Sequence, residues 1–358
     1  MKADSNSLPP LADLLQNPAV SPEQIEARLS MLNTYFCEAS PKEIKNAFQA
    51  LLDLGDGLVD RLPKLIEQTN TAALTHYVNA ARHFRAINTI PALIARIESR
   101  NRKAIALPEI FEALASFEDP EVVAYLFNTL SSPEAERRQY AWKVLRPNFN
   151  AQQFDLVFKI ASEGGPDCFP AAKALARHCY DHEKTTMTIL RIEQALQEKH
   201  GKAKLALIEA LCGIDAAASR AILAILSVDM DPAVRAAVMW GLVRNPTTVN
   251  IVQAALRSDS QNRVRAVCIQ AFIAYPDESI LTDLIGLLNT PELRGLAHRA
   301  LVQANQGVDM GWQDFKWQSW YHARSGNSEK QLAPVAVERP PSQPTPNESL
   351  WQPVNAGH

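Results

Sequence analysis

The stretch Asp231-Pro-Ala-Val-Arg-Ala-Ala-Val-Met-Trp-Gly-Leu242 returns in altered form at Arg263-Val-Arg-Ala-Val-Cys-Ile-Gln-Ala-Phe272. It returns again at Pro291-Glu-Leu-Arg-Gly-Leu-Ala-His-Arg-Ala-Leu301. Each copy sets an arginine ahead of small and large apolar residues at helical spacing. One phrase repeated at nearly constant spacing describes a one-dimensional stack rather than a single closed core.

Working outward with Arg235 as position zero, equivalents fall at Tyr77, Leu107, Arg138, Cys168, Lys204, Arg265 and Arg294. With Arg235 included, the intervals are 30, 31, 30, 36, 31, 30 and 29 residues. Three residues on, every copy carries a small or apolar residue, such as Ala80, Val238 or Ala297. Six on, most are small, as at Ala113, Ala210, Gly241 and Ala300. Seven on stand Phe84, Leu114, Leu145, Leu175, Leu211, Leu242, Phe272 and Leu301. These offsets share one helix face. The small residue lets neighbouring helices approach, and Leu242 or Leu301 fills the layer between them. The cations Arg138, Arg235, Arg265 and Arg294 mark the register.

Between these A helices the pattern predicts B helices at Glu121–Leu130, Phe154–Ala161, Ala218–Leu226, Val249–Leu256 and Ile280–Leu288. The 36-residue interval holds a longer one, Thr185–Lys199, where a local change of curvature or a protrusion is expected. Helix starts are written as Ser21-Pro, Ser40-Pro, Asp119-Pro, Ser132-Pro, Asp231-Pro and Thr290-Pro. In each, an oxygen-bearing side chain can cap free N–H groups and proline suits the first helical position. The expected fold is all-α, a solenoid of stacked antiparallel helix pairs of about 30 residues each. Residues 1–20 are expected to be a flexible N-terminal segment, 21–307 the array, 308–324 an aromatic cap and 325–358 a disordered proline-rich tail.

The phrase Asp-Pro-x-Val-Arg-x-x-Ala, best kept at 231–238 and around 263–268, resembles the short bacterial HEAT repeat, the type found in phycobilin lyases. The likeness spans roughly 20–307 and is sharp from about 231 to 301. In such arrays the arginine often meets an acidic residue of an adjacent turn, for which Asp229, Asp231 and Asp259 are the local candidates. Exposed pairs of that kind contribute under about 1 kcal/mol each. The aromatic ending Gly311-Trp-Gln-Asp-Phe-Lys-Trp-Gln-Ser-Trp-Tyr321 is similar to the close of many bacterial HEAT proteins. A solenoid needs its last apolar layer covered, and Trp312, Phe315, Trp317 and Trp320 are the residues to do it. That reading is preferred over an exposed aromatic binding patch.

Composition narrows the function classes. Hydrophobic residues at 47% allow ample burial, and only 13 glycines occur. Net charge is −3, so the chain as a whole lacks the basic excess that drives phosphate binding. The five cysteines (Cys37, Cys168, Cys179, Cys212, Cys268) are scattered, odd in number and without CxxC spacing, which fits a reducing compartment. No signal-peptide layout and no membrane-length apolar run is seen, so a cytoplasmic protein is expected. Six of the 23 prolines fall in the last 33 residues, where Leu350-Trp-Gln-Pro353 sets Trp351 in a polar context as a candidate docking anchor.

No grouping announces chemistry. His178 and His182 are four apart, but Cys179 stands where a zinc protease carries glutamate. Asp181 suggests that the helix is ending. Cys168 sits near a predicted helix start, yet Asp167 is adjacent and the position belongs to the repeat. Two basic clusters, Arg82/Arg85/Arg96/Arg100/Arg102/Lys103 and Arg137/Arg138/Lys143/Arg146, read as solvated helix surface unless they converge. No phosphate loop, dinucleotide fingerprint or nucleophile elbow is present.

The expectation is therefore a non-enzymatic protein-interaction scaffold, without catalytic residues, metal or cofactor. A protein partner would be held on the surface lined by the B helices, and the tail would act as a second tether. Partner-binding candidates are Trp240, Arg82, Arg85, Arg96, Arg100 and Trp351. The resemblance also admits a bilin-lyase-like chromophore-attachment or chaperone subunit. Less well supported is a nucleic-acid protein like the HEAT-type DNA-alkylation glycosylases, which the acidic balance argues against.

Overall fold

Capping side chains open several of the helices, although Thr290, ahead of Pro291–Ala304, makes no side-chain cap. A computed structural model describes residues 21–69, 72–99, 106–146 and 148–328, and these form an all-α solenoid of antiparallel helix pairs. Ser21 and Gln24 form a reciprocal capping box that opens Pro22–Glu38, and Ser40 with Glu43 does the same for Pro41–Leu52. Asp119 accepts from the Glu121 N–H at 2.7 Å and Asp231 from the Ala233 N–H at 2.8 Å. Ser132 behaves differently. Its hydroxyl accepts from the Glu134 N–H and the helix begins only at Ala135. The helix before Asp181 ends at His178, as expected, and Asp181 caps the next one, accepting from the Lys184 N–H at 2.8 Å.

The chain divides into two compact units, Met1–Phe149 and Asn150–His358. In the first, the A helices Ala73–Phe84, Leu107–Ser116 and Ala135–Val144 pack in succession. Leu62–Gln68 and Ile90–Glu98 lie side by side in the B layer, and Pro120–Thr129 follows as the next B helix. Pro22–Glu38 and Pro41–Leu52 pair with each other and pack on Ala73–Phe84, where Phe36 stacks on His76 with centroids 4.1 Å apart.

In the second unit the A layer runs Cys168–His178, Gly201–Gly213, Pro232–Leu242, Asn262–Ala274 and Pro291–Ala304, each packed on the next. Its B helices are Ala151–Ser162, His182–Leu196, Ala217–Leu226, Val249–Ser258 and Leu281–Leu287. Asp314–Ser328 then packs on Leu281–Leu287 as the last member of that layer. His182–Leu196 has 15 residues against 10 in each of the next two B helices, which accounts for the 36-residue interval.

Burial explains the repeat. In Pro232–Leu242 the side chains of Val234, Val238, Met239 and Leu242 are buried, so the interior stripe includes the fourth residue after the arginine as well as the third, sixth and seventh. The same four offsets are buried from Cys168, Lys204, Arg265 and Arg294. The first copy is shifted. His83 is exposed and Phe84 only half-buried, whereas Leu74, Tyr77, Val78, Ala80 and Ala81 are buried. Its zero position is therefore Leu74, three residues before Tyr77. Gly241 shows why the sixth offset stays small. A Cβ there would lie 2.6 Å from Leu223 Cδ1 and 2.8 Å from Cys212 Sγ.

Two of the zero-position cations, Lys204 and Arg235, tie their helices to the turn of the following repeat. Lys204 Nζ meets Asp229 at 2.7 Å, in the turn after Ala217–Leu226. Arg235 grips Asp259 with two hydrogen bonds of 2.8 and 3.0 Å, in the turn after Val249–Ser258, and donates to the Asp229 carbonyl at 2.8 Å. The Arg235–Asp259 side chains are only 14% and 8% exposed, so this pair is not the weak surface pair expected. The Arg235 hydrogen bond holds the Asp259 carboxyl below the usual aspartate range. Arg138 caps the carbonyls of Ser132 and Pro133, and Arg265 that of Leu256.

Candidate functional site

Most outward B-helix faces are polar. Ala151–Ser162 exposes Gln152, Asp155 and Lys159, and Val249–Ser258 exposes Asn250, Arg257 and Ser258. The two B helices between them differ. His182–Leu196 buries Thr188, Ile189, Ile192 and Leu196, and on the opposite side leaves Met187 and Leu190 exposed. Ala217–Leu226 buries Ser219 and Leu223 while exposing Ala218, Ala221 and Ile225. Val228, one turn beyond Ile225, is 82% exposed and Met230 is 97% exposed. The two helices pack side by side, so their outward stripes form one apolar face. Met187, Leu190, Ile225, Val228 and Met230 are half of the ten large hydrophobic side chains left exposed among the described residues, and all five lie on these two adjacent helices or in the turn after the second.

These five residues were not among the sequence candidates. Ala217–Leu226 is apolar on nearly every face, and periodicity reads such a helix as buried. The available signal was Val228-Asp-Met230, two apolar residues in a turn where polar ones are usual.

The basic candidates do not converge. Arg82 pairs with Glu112 at 3.3 Å, and Arg85 ends its helix in the left-handed conformation, φ 51°. Arg96 is buried and donates to the Thr69 carbonyl, stapling Ile90–Glu98 to the end of Leu62–Gln68. It is a structural residue, not a binding one. Arg137 meets Glu98 at 2.9 Å and Glu134 at 3.0 Å, and Arg146 meets Glu118 at 2.8 Å. Arg100, Arg102, Lys103 and Trp351 lie outside the described residues. Trp240 is half-buried in the A layer and not part of the apolar face.

Arg294 and Trp312 are brought together at the end of the second unit. Trp312 stacks on His298 at 4.0 Å, and the Arg294 guanidinium lies 5.2 Å from its ring. With Pro291 and Gly295 they line a shallow, open pocket of about 380 Å³. Trp317 fills the cap interior. It is fully buried, donates its Nε1–H to the Gly311 carbonyl at 2.7 Å, and meets Trp320 edge-on. Trp312 is half exposed, at the rim of the cap.

His178 and His182 belong to different helices, the first buried at the end of Cys168–His178 and the second at the exposed start of the next. Among the described residues no group of three or more His, Cys, Asp or Glu is placed to hold a metal ion. Cys168 is fully buried, and burial pushes its thiol up, away from the thiolate a nucleophile needs. Among the described residues no helix is long and apolar enough to cross a membrane.

No protein-family model and no curated protein matches the chain. Among solved structures, an engineered protein aligns with 83% of this chain and 95% of its own, at 16% identity and a TM-score of 0.32. Human deoxyhypusine hydroxylase in complex with glycerol aligns with 80% and 97%, at 18% identity and a TM-score of 0.30. That neighbour is an enzyme, so the expectation of a non-enzymatic scaffold does not stand. Likeness at this level assigns no activity to the chain either.

Proposed function

We propose that the chain is a protein-interaction scaffold whose docking surface is the outward face of His182–Leu196 and Ala217–Leu226. One observation carries the reading: exposed large hydrophobic side chains gather on two adjacent B helices whose neighbours present polar faces. A contiguous apolar patch on a folded surface marks an interaction site, since exposing it to water is unfavourable unless a partner covers it. The basic side chains favour a protein over nucleic acid, because Arg82, Arg137 and Arg146 are engaged by carboxylates. The finer kinship with short bacterial HEAT proteins of the phycobilin-lyase type belongs to the same reading. So does a cytoplasmic setting, which the five free cysteines support. The tail around Trp351 serves as a second tether.

Affinity capture with cross-linking tests this on three forms of the full chain. These are the natural sequence, a Met187→Ser/Leu190→Ser/Ile225→Ser variant, and a control with Asn250→Ser and Thr282→Ala on the polar face. Species captured by the natural chain and the control are expected to be lost from the apolar-face variant. Equal capture by all three would sink the reading.

A further inference from the structure

The charges around the apolar face say which kind of segment it takes. On His182–Leu196 the exposed stripe runs Glu183, Met187, Leu190 and Gln194, with Glu193 beside it and Glu198 just past the helix end. The cations of the same two helices are already engaged. Lys184 sits on the Tyr180 ring and near Asp181, Arg191 meets Asp155 at 2.5 Å, and Arg220 meets Asp215 at 2.6 Å. Arg191 also lies over the Phe158 ring, 4.5 Å from its centroid, and so is drawn toward Ala151–Ser162. Asp229 at the far edge is neutralised by Lys204. Glu183, Glu193 and Glu198 are exposed and have no ion-pair partner among the described residues, against two cations, the half-buried Lys199 and the exposed Lys202 at the start of Gly201–Gly213. The face is therefore apolar at its centre, with two flexible methionines, and carries uncompensated negative charge along its rim. Methionine side chains adapt to varied apolar surfaces, and rim charge selects the sign of the partner and speeds its arrival.

We propose that this face binds a basic amphipathic helix of a partner protein, its apolar stripe laid on Met187, Leu190 and Ile225 and its Lys or Arg residues against Glu183, Glu193 and Glu198. This rests on the docking reading above and adds the chemistry of the occupant. An amphipathic helix fits because its apolar residues recur at the same three- and four-residue spacing as those on the two B helices. A strongly acidic or uniformly polar segment would meet like charge or leave the apolar centre wet.

The test titrates the full chain into three fluorescently labelled peptides of about 18 residues, roughly five helical turns. The first has a leucine stripe and a lysine face, the second the same stripe with glutamate in place of lysine, and the third the first composition scrambled so that no face forms. The lysine peptide is expected to bind about tenfold or more tightly than either control, and to weaken as salt is raised. Glu183→Gln/Glu193→Gln/Glu198→Gln should abolish the preference over the glutamate peptide while leaving the melting temperature unchanged. Equal binding of the glutamate peptide would overturn the basic occupant yet leave the docking reading standing. Equal binding of the scrambled peptide would show plain charge attraction and overturn the helix. Failure of all three peptides, with capture still dependent on Met187, Leu190 and Ile225, overturns the occupant alone. If capture is also insensitive to those residues, the docking reading falls with it. Self-association lost in the apolar-face variant, seen by sedimentation, would make a second copy the occupant instead.

Discussion

His182–Leu196 and Ala217–Leu226 do the same structural work as Val249–Ser258 and Leu281–Leu287, yet they show water a different surface. All four sit in the B layer and bury an apolar stripe toward the A helices. The cation devices are shared too, since Lys204–Asp229 serves the first region as Arg235–Asp259 serves the second. Outward, the first pair exposes Met187, Leu190 and Ile225, and the second exposes Asn250, Arg257 and Thr282. Stacking fixes the inner stripe and leaves the outer one free. An outer face that departs from polar is therefore not demanded by folding, and that is what makes it the candidate for binding.

The largest effect should come from breaking what the two regions share. Leu242 is fully buried in the layer between repeats, so Leu242→Ala should lower stability by about 2–5 kcal/mol in denaturant titration. A change below about 0.5 kcal/mol would remove Leu242 from that layer. Gly241→Ala probes the close approach itself. With Leu223 Cδ1 and Cys212 Sγ inside 3 Å of the new methyl, a loss of about 1–3 kcal/mol is expected from overpacking.

The cation device gives a pH signature. Arg235→Gln should cost about 1–3 kcal/mol by leaving the Asp259 carboxylate short of its charged partner. In the natural chain Asp259 has a carboxyl pKa held below its unfolded value of about 3.9, so its contribution is fully present above that pH. It is lost as pH falls through the lower folded value. Acid unfolding of Arg235→Gln should therefore show a shallower loss of stability below about pH 4 than the natural chain. Parallel acid limbs would show that the pair contributes nothing. The smallest effect is expected at the apolar face, where Met187→Ser/Leu190→Ser/Ile225→Ser should change stability by less than about 0.5 kcal/mol per site. A large loss there would mean that the face packs against the chain itself.

Sequence periodicity exposed the A layer because a buried stripe leaves a repeating mark at fixed offsets. It slipped at the first copy, where Tyr77 and Ala80 are apolar in either register and no arginine fixes the zero. Charge was a poorer guide. Arg96 looks like its neighbours in the sequence, but its guanidinium turns inward onto the Thr69 carbonyl rather than to water. The exposed apolar face was the least legible part. Ile225 and Leu223 are alike as letters, and only the placement of the A helices decides which is covered. Trp312 and Trp317 repeat the lesson at the cap, one at the rim and one fully buried.

Hydrogen exchange on the chain with and without its cross-linked partner tests the central claim most directly. Protection gained on binding should fall on residues 182–196 and 217–230 and leave 249–258 and 281–287 unchanged. Protection of the polar pair with none on the apolar pair would contradict the account.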